Sequence, residues 1–138
     1  MTSNFVETFT SKSYGLGLPN PYPYGVPEEL PRNASSTALA SSIVAFVGQG
    51  RLFGFSVSST RASSQFIQLF DLGALPSNGA IPVLSLNVAT GTSIAVDFGS
   101  EGRWGRIGCV IANSTTQGSL TLGSADCLFD VQYLPQVI

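Results

Sequence analysis

The residues that could perform covalent chemistry are few in this sequence, and the first to consider are its two cysteines. Cys109 and Cys127 are 18 positions apart, and the chain contains no histidine. The common hydrolase nucleophiles need an imidazole as base, and two cysteines do not complete a four-ligand zinc site within one chain. Each cysteine falls on the apolar face of a predicted strand, and the two could face each other across a strand pair. We therefore predict buried, reduced thiols that pack as small apolar side chains.

Paired carboxylates, which catalyse glycoside hydrolysis, are the other arrangement to consider. The candidates are Asp71, Asp97, Glu101, Asp126 and Asp130. Asp97 and Glu101 are close in sequence, in the stretch DFGSEG, which follows an apolar strand pattern. Carboxylates in such glycine-rich turns commonly accept hydrogen bonds from nearby backbone N–H groups. The sequence thus predicts no catalytic residue, no cofactor and no metal site.

The run GRWGRIG at 102–108 is the most distinctive short stretch. Arg103, Trp104 and Arg106 combine two residue types that are enriched at binding hot spots. One interpretation is that they form an exposed contact surface. Another is that Trp104 closes one end of the fold, with the glycines at bulges. Stacking of a saccharide on Trp104 is a third interpretation.

These residues must be positioned by β-strands, because apolar residues recur at period two from residue 42 onward. One such alternation places Phe53, Phe55 and Val57 on one face. Turn residues separate the stretches, and no long helical period is present. About eight strands in this pattern are typical of an antiparallel β-sandwich of the jelly-roll type. The predicted strands are 42–47, 51–59, 64–71, 80–88, 92–99, 106–113, 118–124 and 126–134.

Residues 1–41 differ in composition and predict an extended arm ahead of a β-sandwich domain at 42–138. Five of the eight prolines lie in LPNPYPYGVPEELP, and proline favours extended, polyproline-like backbone. The arm also carries Tyr14, Tyr22 and Tyr24, which we predict to pack on its own sheet or on a neighbouring subunit. A flexible leader is the alternative, and 33–42 is predicted to be a loop or hinge.

The charge content points to an assembly rather than to nucleic acid or membrane. Only 10% of the residues are charged, against about 25% in typical soluble domains, and such a surface suits a chain covered by neighbours. Six Lys and Arg residues with a net charge of −2 do not predict direct nucleic-acid binding or a polybasic membrane patch. The N-terminus shows no apolar signal segment, so we expect synthesis in a cytoplasm and no membrane partner.

Residues 63–133 contain the motifs QLFD, NGAIPV, the DFG and GR turn, IANST and ADCLFDVQY. In these motifs the chain resembles small virion-associated proteins of tailed bacteriophages. The resemblance implies a β-sandwich structural protein of the virion with no catalytic residues. We therefore expect a capsid decoration or cement protein that binds the major capsid protein or other virion proteins as a homo-oligomer, with a trimer favoured. A tail, neck or baseplate component, including a receptor- or glycan-binding module, is the alternative.

Overall fold

The computed structural model describes residues 31–61 and 63–136, and the predicted contact residues Tyr14, Tyr22 and Tyr24 lie outside that part of the chain. No helix in the described part is long and apolar enough to cross a membrane. The described residues form nine strands: β1 (Arg32–Ser35), β2 (Ser42–Val47), β3 (Gly50–Ser59), β4 (Gln65–Phe70), β5 (Leu84–Val88), β6 (Ser93–Asp97), β7 (Arg103–Gly105), β8 (Gly108–Ser114) and β9 (Cys127–Pro135).

The strands form two antiparallel sheets packed as a sandwich, which confirms the all-β prediction. The five-stranded sheet has the order β1–β9–β3–β6, and β7 also pairs with β3. The four-stranded sheet has the order β2–β8–β4–β5. Six of the predicted strands correspond to β2, β3, β4, β6, β8 and β9 with small shifts at their ends.

β6 and β7 form one edge of the five-stranded sheet, interrupted by a loop. Asp97 lies opposite Gly54 on β3, and Arg103 lies opposite Leu52. β6 and β7 therefore pair with nearly consecutive residues of β3, and residues 98–102 form a loop that projects between them. Gly99 and Gly102 have φ values of 82° and 72° in this loop, a conformation that favours glycine.

The pairing is nested along the chain. β1 pairs with β9, β2 with β8, β3 with the β6–β7 edge, and β4 with β5. Apart from β4 to β5 and β6 to β7, each strand is followed by a strand of the other sheet. Most contacts therefore join residues that are distant in sequence.

The main core lies between the sheets, and a β-bulge changes which side chains reach it. The pairing of β3 with β9 shifts register between Leu52 and Gly54. Leu52, Phe55 and Val57 are buried in the core, whereas Phe53 is only half-buried and lies outside it. The predicted grouping of Phe53 with Phe55 and Val57 is wrong, because the extra residue changes the phase of the alternation.

A second apolar cluster covers the outer face of the four-stranded sheet. Leu120 is buried against Phe70, Val110 and Ala112. The predicted strand at 118–124 is wrong, since this stretch makes only an isolated bridge between Ser114 and Leu122. The segment with the alternating leucines is a loop that packs on the sheet and not a strand that pairs within it.

The buried amide of Gln68 attaches that loop to the sheet. Its Nε2 donates hydrogen bonds to the carbonyl oxygens of Thr116, Gln117 and Ser119 at 2.7, 2.9 and 3.3 Å. The loop carbonyls thus find a donor away from water, as buried backbone groups require. The outer face of this sheet is consequently covered by the chain itself.

β1 lies within the range predicted as arm and loop. Arg32–Ser35 pair with Tyr133–Asp130 of β9, so this part of 1–41 belongs to the sheet. The strand has the sequence RNAS and is mostly exposed. It lacks the apolar alternation from which the other strands were predicted, because it lies at an edge and contributes little to the core.

Candidate functional site

The GRWGRIG run crosses from one sheet to the other at one end of the sandwich. Arg103–Gly105 belong to the five-stranded sheet, and Gly108 begins β8 in the four-stranded sheet. Trp104 is 58% exposed, and Arg103 and Arg106 are also exposed. The interpretation of Trp104 as a plug is wrong, because Trp104 lies opposite Arg51 on an edge strand. The contact role of the three residues remains a prediction.

Arg51 holds the Trp104 ring in place on the outer side of the sheet. Its guanidinium carbon lies 5.3 Å from the Trp104 ring centroid and 5.4 Å from the Phe53 ring centroid. Arg51 Nη1 also donates to the carbonyl oxygen of Glu101 at 3.4 Å. A cation over an exposed ring contributes about 0.5–1 kcal/mol. Because the Arg51 guanidinium lies over both rings, it limits the movement of each ring. Sequence reasoning did not include Arg51, because only the register places it beside Trp104.

Asp71 fixes the backbone of the corner that follows Trp104. Its Oδ1 accepts hydrogen bonds from the N–H groups of Arg106, Ile107 and Gly108 at 3.0, 2.9 and 3.2 Å. Partial burial disfavours the ionised carboxylate, but these backbone donors and the charge of Arg106 outweigh it and hold the pKa of Asp71 below its ordinary value. Asp71 is therefore a structural clamp rather than an acid–base group.

Around this clamp, large apolar side chains are left in solvent. We call Val47, Val83, Trp104 and Ile107 the loop-end surface. Val47 is 71% exposed and Ile107 is 55% exposed. The N–H of Gly48 donates to the carbonyl of Ile107 at 2.7 Å, so the turn after β2 and the corner are tied together. Exposed apolar groups collected on one surface are typical of interaction sites.

The cavity beneath the loop-end surface is too small for an organic substrate. Its volume is about 20 Å³, and Phe46, Phe70, Asp71 and Cys109 are among its lining residues. That is room for about one water molecule. Recognition at this end would therefore occur on the surface rather than in a pocket.

The two cysteines are buried, unbonded and unsuited to nucleophilic chemistry. Cys109 lies on β8 and Cys127 on β9, in opposite sheets, and both belong to the inter-sheet core. Burial, reinforced by the charge of Asp71, raises the pKa of Cys109 to about 12. Burial also raises the pKa of Cys127 to about 11, although a hydrogen bond with Ser59 opposes the shift. The buried-thiol prediction is confirmed, and the suggestion that they face each other across a strand pair is wrong.

Residues 97–101, which carry the carboxylates of Asp97 and Glu101, form a turn. Asp97 Oδ1 accepts a hydrogen bond from the N–H of Gly99 at 2.8 Å, as predicted for this glycine-rich stretch. Asp126 is paired with Arg61 at 3.3 Å. Within residues 31–61 and 63–136, no three His, Cys, Asp or Glu side chains are close enough together to hold a metal ion.

Comparison of the chain with protein-family models, with curated proteins and with solved structures finds no match. The resemblance to phage virion proteins therefore stays a prediction from the sequence motifs.

Proposed function

We propose that this protein is a non-enzymatic structural component of a bacteriophage particle, a capsid decoration or cement protein that binds the major capsid protein. The observation that carries the proposal is the loop-end surface, where Trp104 lies exposed beside Arg51 and Ile107 lies exposed on the backbone that Asp71 holds. A partner that covers these side chains removes their remaining exposed apolar area from water, which contributes roughly 25 cal/mol per Å².

The strand order supports a jelly-roll assignment within this proposal. If β6 and β7 are counted as one interrupted strand, eight strands nest in pairs around the β4–β5 hairpin. A double-sheet domain of eight strands is the jelly-roll arrangement found in capsid and lectin domains. Because the same fold can serve many functions, the proposed capsid role rests on the loop-end surface and not on the jelly-roll arrangement.

Charge at the rim would orient the contact. Arg103 and Arg106 are exposed beside the apolar side chains of the loop-end surface. Rim charges mainly affect association rate and orientation, whereas buried apolar anchors supply most of the affinity. We therefore assign Trp104 and Ile107 as anchors and the two arginines as orienting groups, in a homo-oligomer that we propose to be a trimer.

The proposal is tested by co-sedimentation of the full chain with capsids that lack it. The variants Trp104→Ala and Ile107→Ser are expected to weaken saturable binding at least tenfold. Leu128→Ser is the matched control, because Leu128 is also exposed, at 43%, but lies on β9 opposite Ser58, toward the other end of β3. Failure of the full chain to bind capsids, or equal binding by all variants, would reject the capsid role. Binding to host envelopes instead would indicate the tail or receptor-binding alternative.

A further inference from the structure

An open groove lies on the outer face of the five-stranded sheet, separate from the loop-end surface. Its volume is about 320 Å³, at the lower end of the roughly 300–1,000 Å³ range of small-molecule sites. We define the outer groove by six residues that line it: Phe53, Gly54, Ser56, Asp97, Asp130 and Gln132.

Strand register explains why the groove is open. Gly54 lies between Asp97 on β6 and Gln132 on β9, and Ser56 lies opposite Asp130. A Cβ at position 54 would lie 2.5 Å from the carbonyl oxygen of Val96, so close backbone approach requires glycine there. Because Gly54 and Ser56 are small, β3 forms the bottom of the groove, and the polar side chains of β6 and β9 rise on either side.

The polar wall on the β9 side is held in position before any ligand arrives. Gln132 Nε2 donates to Asn33 Oδ1 at 2.7 Å and to Asp130 Oδ1 at 3.4 Å. Ser35 Oγ donates to Asp130 Oδ1 at 3.0 Å, and Asn33 Nδ2 donates to Ser35 Oγ at 2.8 Å. Side chains that are already ordered lose less entropy on binding.

The charges of the groove select the chemical class of its ligand. Asp97 and Asp130 present carboxylate oxygens, and the only ion pair in the described part of the chain joins Arg61 and Asp126 elsewhere. The nearby Arg51 is stacked between two rings. A site rich in acceptors disfavours phosphate, sulfate and acidic sugars. It suits a neutral ligand with many hydroxyl donors.

The central strand β3 also contributes an aromatic ring to the groove. Phe53 lines the groove, and a Cβ at Gly102 would lie 3.1 Å from its Cδ1, so the loop at 98–102 backs the ring. An aromatic face provides apolar area at low entropic cost. A pyranose matches both features of the groove. Its C–H face can pack on the Phe53 ring, and its hydroxyls can donate to the carboxylates.

We propose that the outer groove binds a neutral saccharide, with Phe53 packing on the C–H face of one sugar ring and Asp97 and Asp130 accepting hydrogen bonds from its hydroxyls. This site is independent of the capsid-binding role proposed for the loop-end surface. A single shallow site binds weakly, and several copies in an oligomer would bind a polysaccharide through avidity.

The test begins with the full-length protein on an array of neutral oligosaccharides of glucose, galactose, mannose, rhamnose and N-acetylhexosamines, with sialylated and sulfated glycans as comparators. Binding to a neutral glycan is expected. Exclusive binding to anionic glycans, or binding to none, would overturn the proposal.

The best neutral glycan is then titrated calorimetrically against variants. Asp130→Ala and Phe53→Ala are expected to weaken affinity at least tenfold. Ser56→Tyr, which fills the groove without removing an acceptor, should abolish binding. Asp126→Asn and Ile107→Ser are controls that should retain it, the latter while losing capsid binding, since Ile107 is 55% exposed and does not line the groove. Each variant is checked by thermal unfolding.

Two results would overturn the groove assignment even if a glycan binds. One is unchanged affinity in Ser56→Tyr, which would place the saccharide elsewhere. The other is a change in oligomer mass in Ser56→Tyr by light scattering, which would indicate that a second copy of the chain occupies the groove. Loss of capsid binding alone would leave the saccharide site standing and reject only the assembly role.

Discussion

At the scale of single residues, Asp71 shows how one carboxylate can organise a surface without performing chemistry. It accepts hydrogen bonds from three consecutive backbone N–H groups after Trp104. Those donors lie in the corner where the chain leaves one sheet for the other, and Arg106 and Ile107 are exposed there. Burial, with a smaller contribution from the charge of Asp71, raises the pKa of Cys109, which keeps that thiol protonated and inert.

Replacing Asp71 with Asn should destabilise the protein by roughly 0.5–1.5 kcal/mol at pH 7, because solvent-exposed backbone donors exchange a charged acceptor for a neutral amide oxygen. The folded pKa of Asp71 lies below its unfolded value. Its contribution is therefore fully present at neutral pH and is lost as the pH falls below about 4. Urea unfolding at pH 7 and pH 3 measures both effects. The Asp71→Asn variant should lose less stability on acidification than the original protein.

Asp97→Asn is the control for that comparison, since Asp97 is exposed and accepts one backbone hydrogen bond, from Gly99. A loss at pH 7 equal to that of Asp71→Asn would contradict the clamp.

At the scale of elements, the junction between β7 and β8 depends on close backbone packing. A Cβ at Gly108 would lie 2.5 Å from the carbonyl oxygen of Leu72 and 2.7 Å from that of Phe46. Both contacts are with backbone, which does not yield as a flexible side chain would. The corner therefore brings three chain segments together only because position 108 has no side chain.

Gly108→Ala should consequently cost roughly 1–3 kcal/mol, the usual range for overpacking a filled site. It should also disorder the loop-end surface. Gly118→Ala is the matched control, because a Cβ at Gly118 meets nothing within 4 Å, and its stability should change little or increase slightly. Denaturant midpoints of the two variants make the comparison, and equal midpoints would show that the corner adapts.

At the scale of the whole molecule, the nested pairing makes the sandwich depend on strands from both ends of the described chain. β1 and β9 are neighbours in the five-stranded sheet, although nearly a hundred residues separate them. The outer face of the other sheet is covered by residues after Ser114. The outer groove lies on the other face of the sandwich, which no segment of residues 31–61 and 63–136 covers, and its polar wall includes Asn33 and Ser35 of β1.

Two truncations of the chain test the contributions of residues 1–30 and of β1 separately. Removal of residues 1–30 should leave a cooperatively unfolding β-protein, because β1 is retained. Removal of 1–41 also deletes β1 and should destabilise the fold and disorder the Asp130–Gln132 wall. Circular dichroism melts of both truncations measure this, and equal melting temperatures would contradict the role of β1. Capsid co-sedimentation of the 1–30 truncation then tests whether Tyr14, Tyr22 and Tyr24 contribute to binding.

What the sequence determined by itself is the local part of this protein: strands of period two, turns at glycines, the buried cysteines and the capping role of Asp97. These features depend on neighbouring residues, whose spacing directly reflects side-chain direction. Tertiary structure alone decided the bulge that turns Phe53 outward, the packing of Leu120 as a loop and the exposure of Trp104 beside Arg51. Each of these depends on which distant strand lies opposite, and pairing register is a property of the assembled sheet.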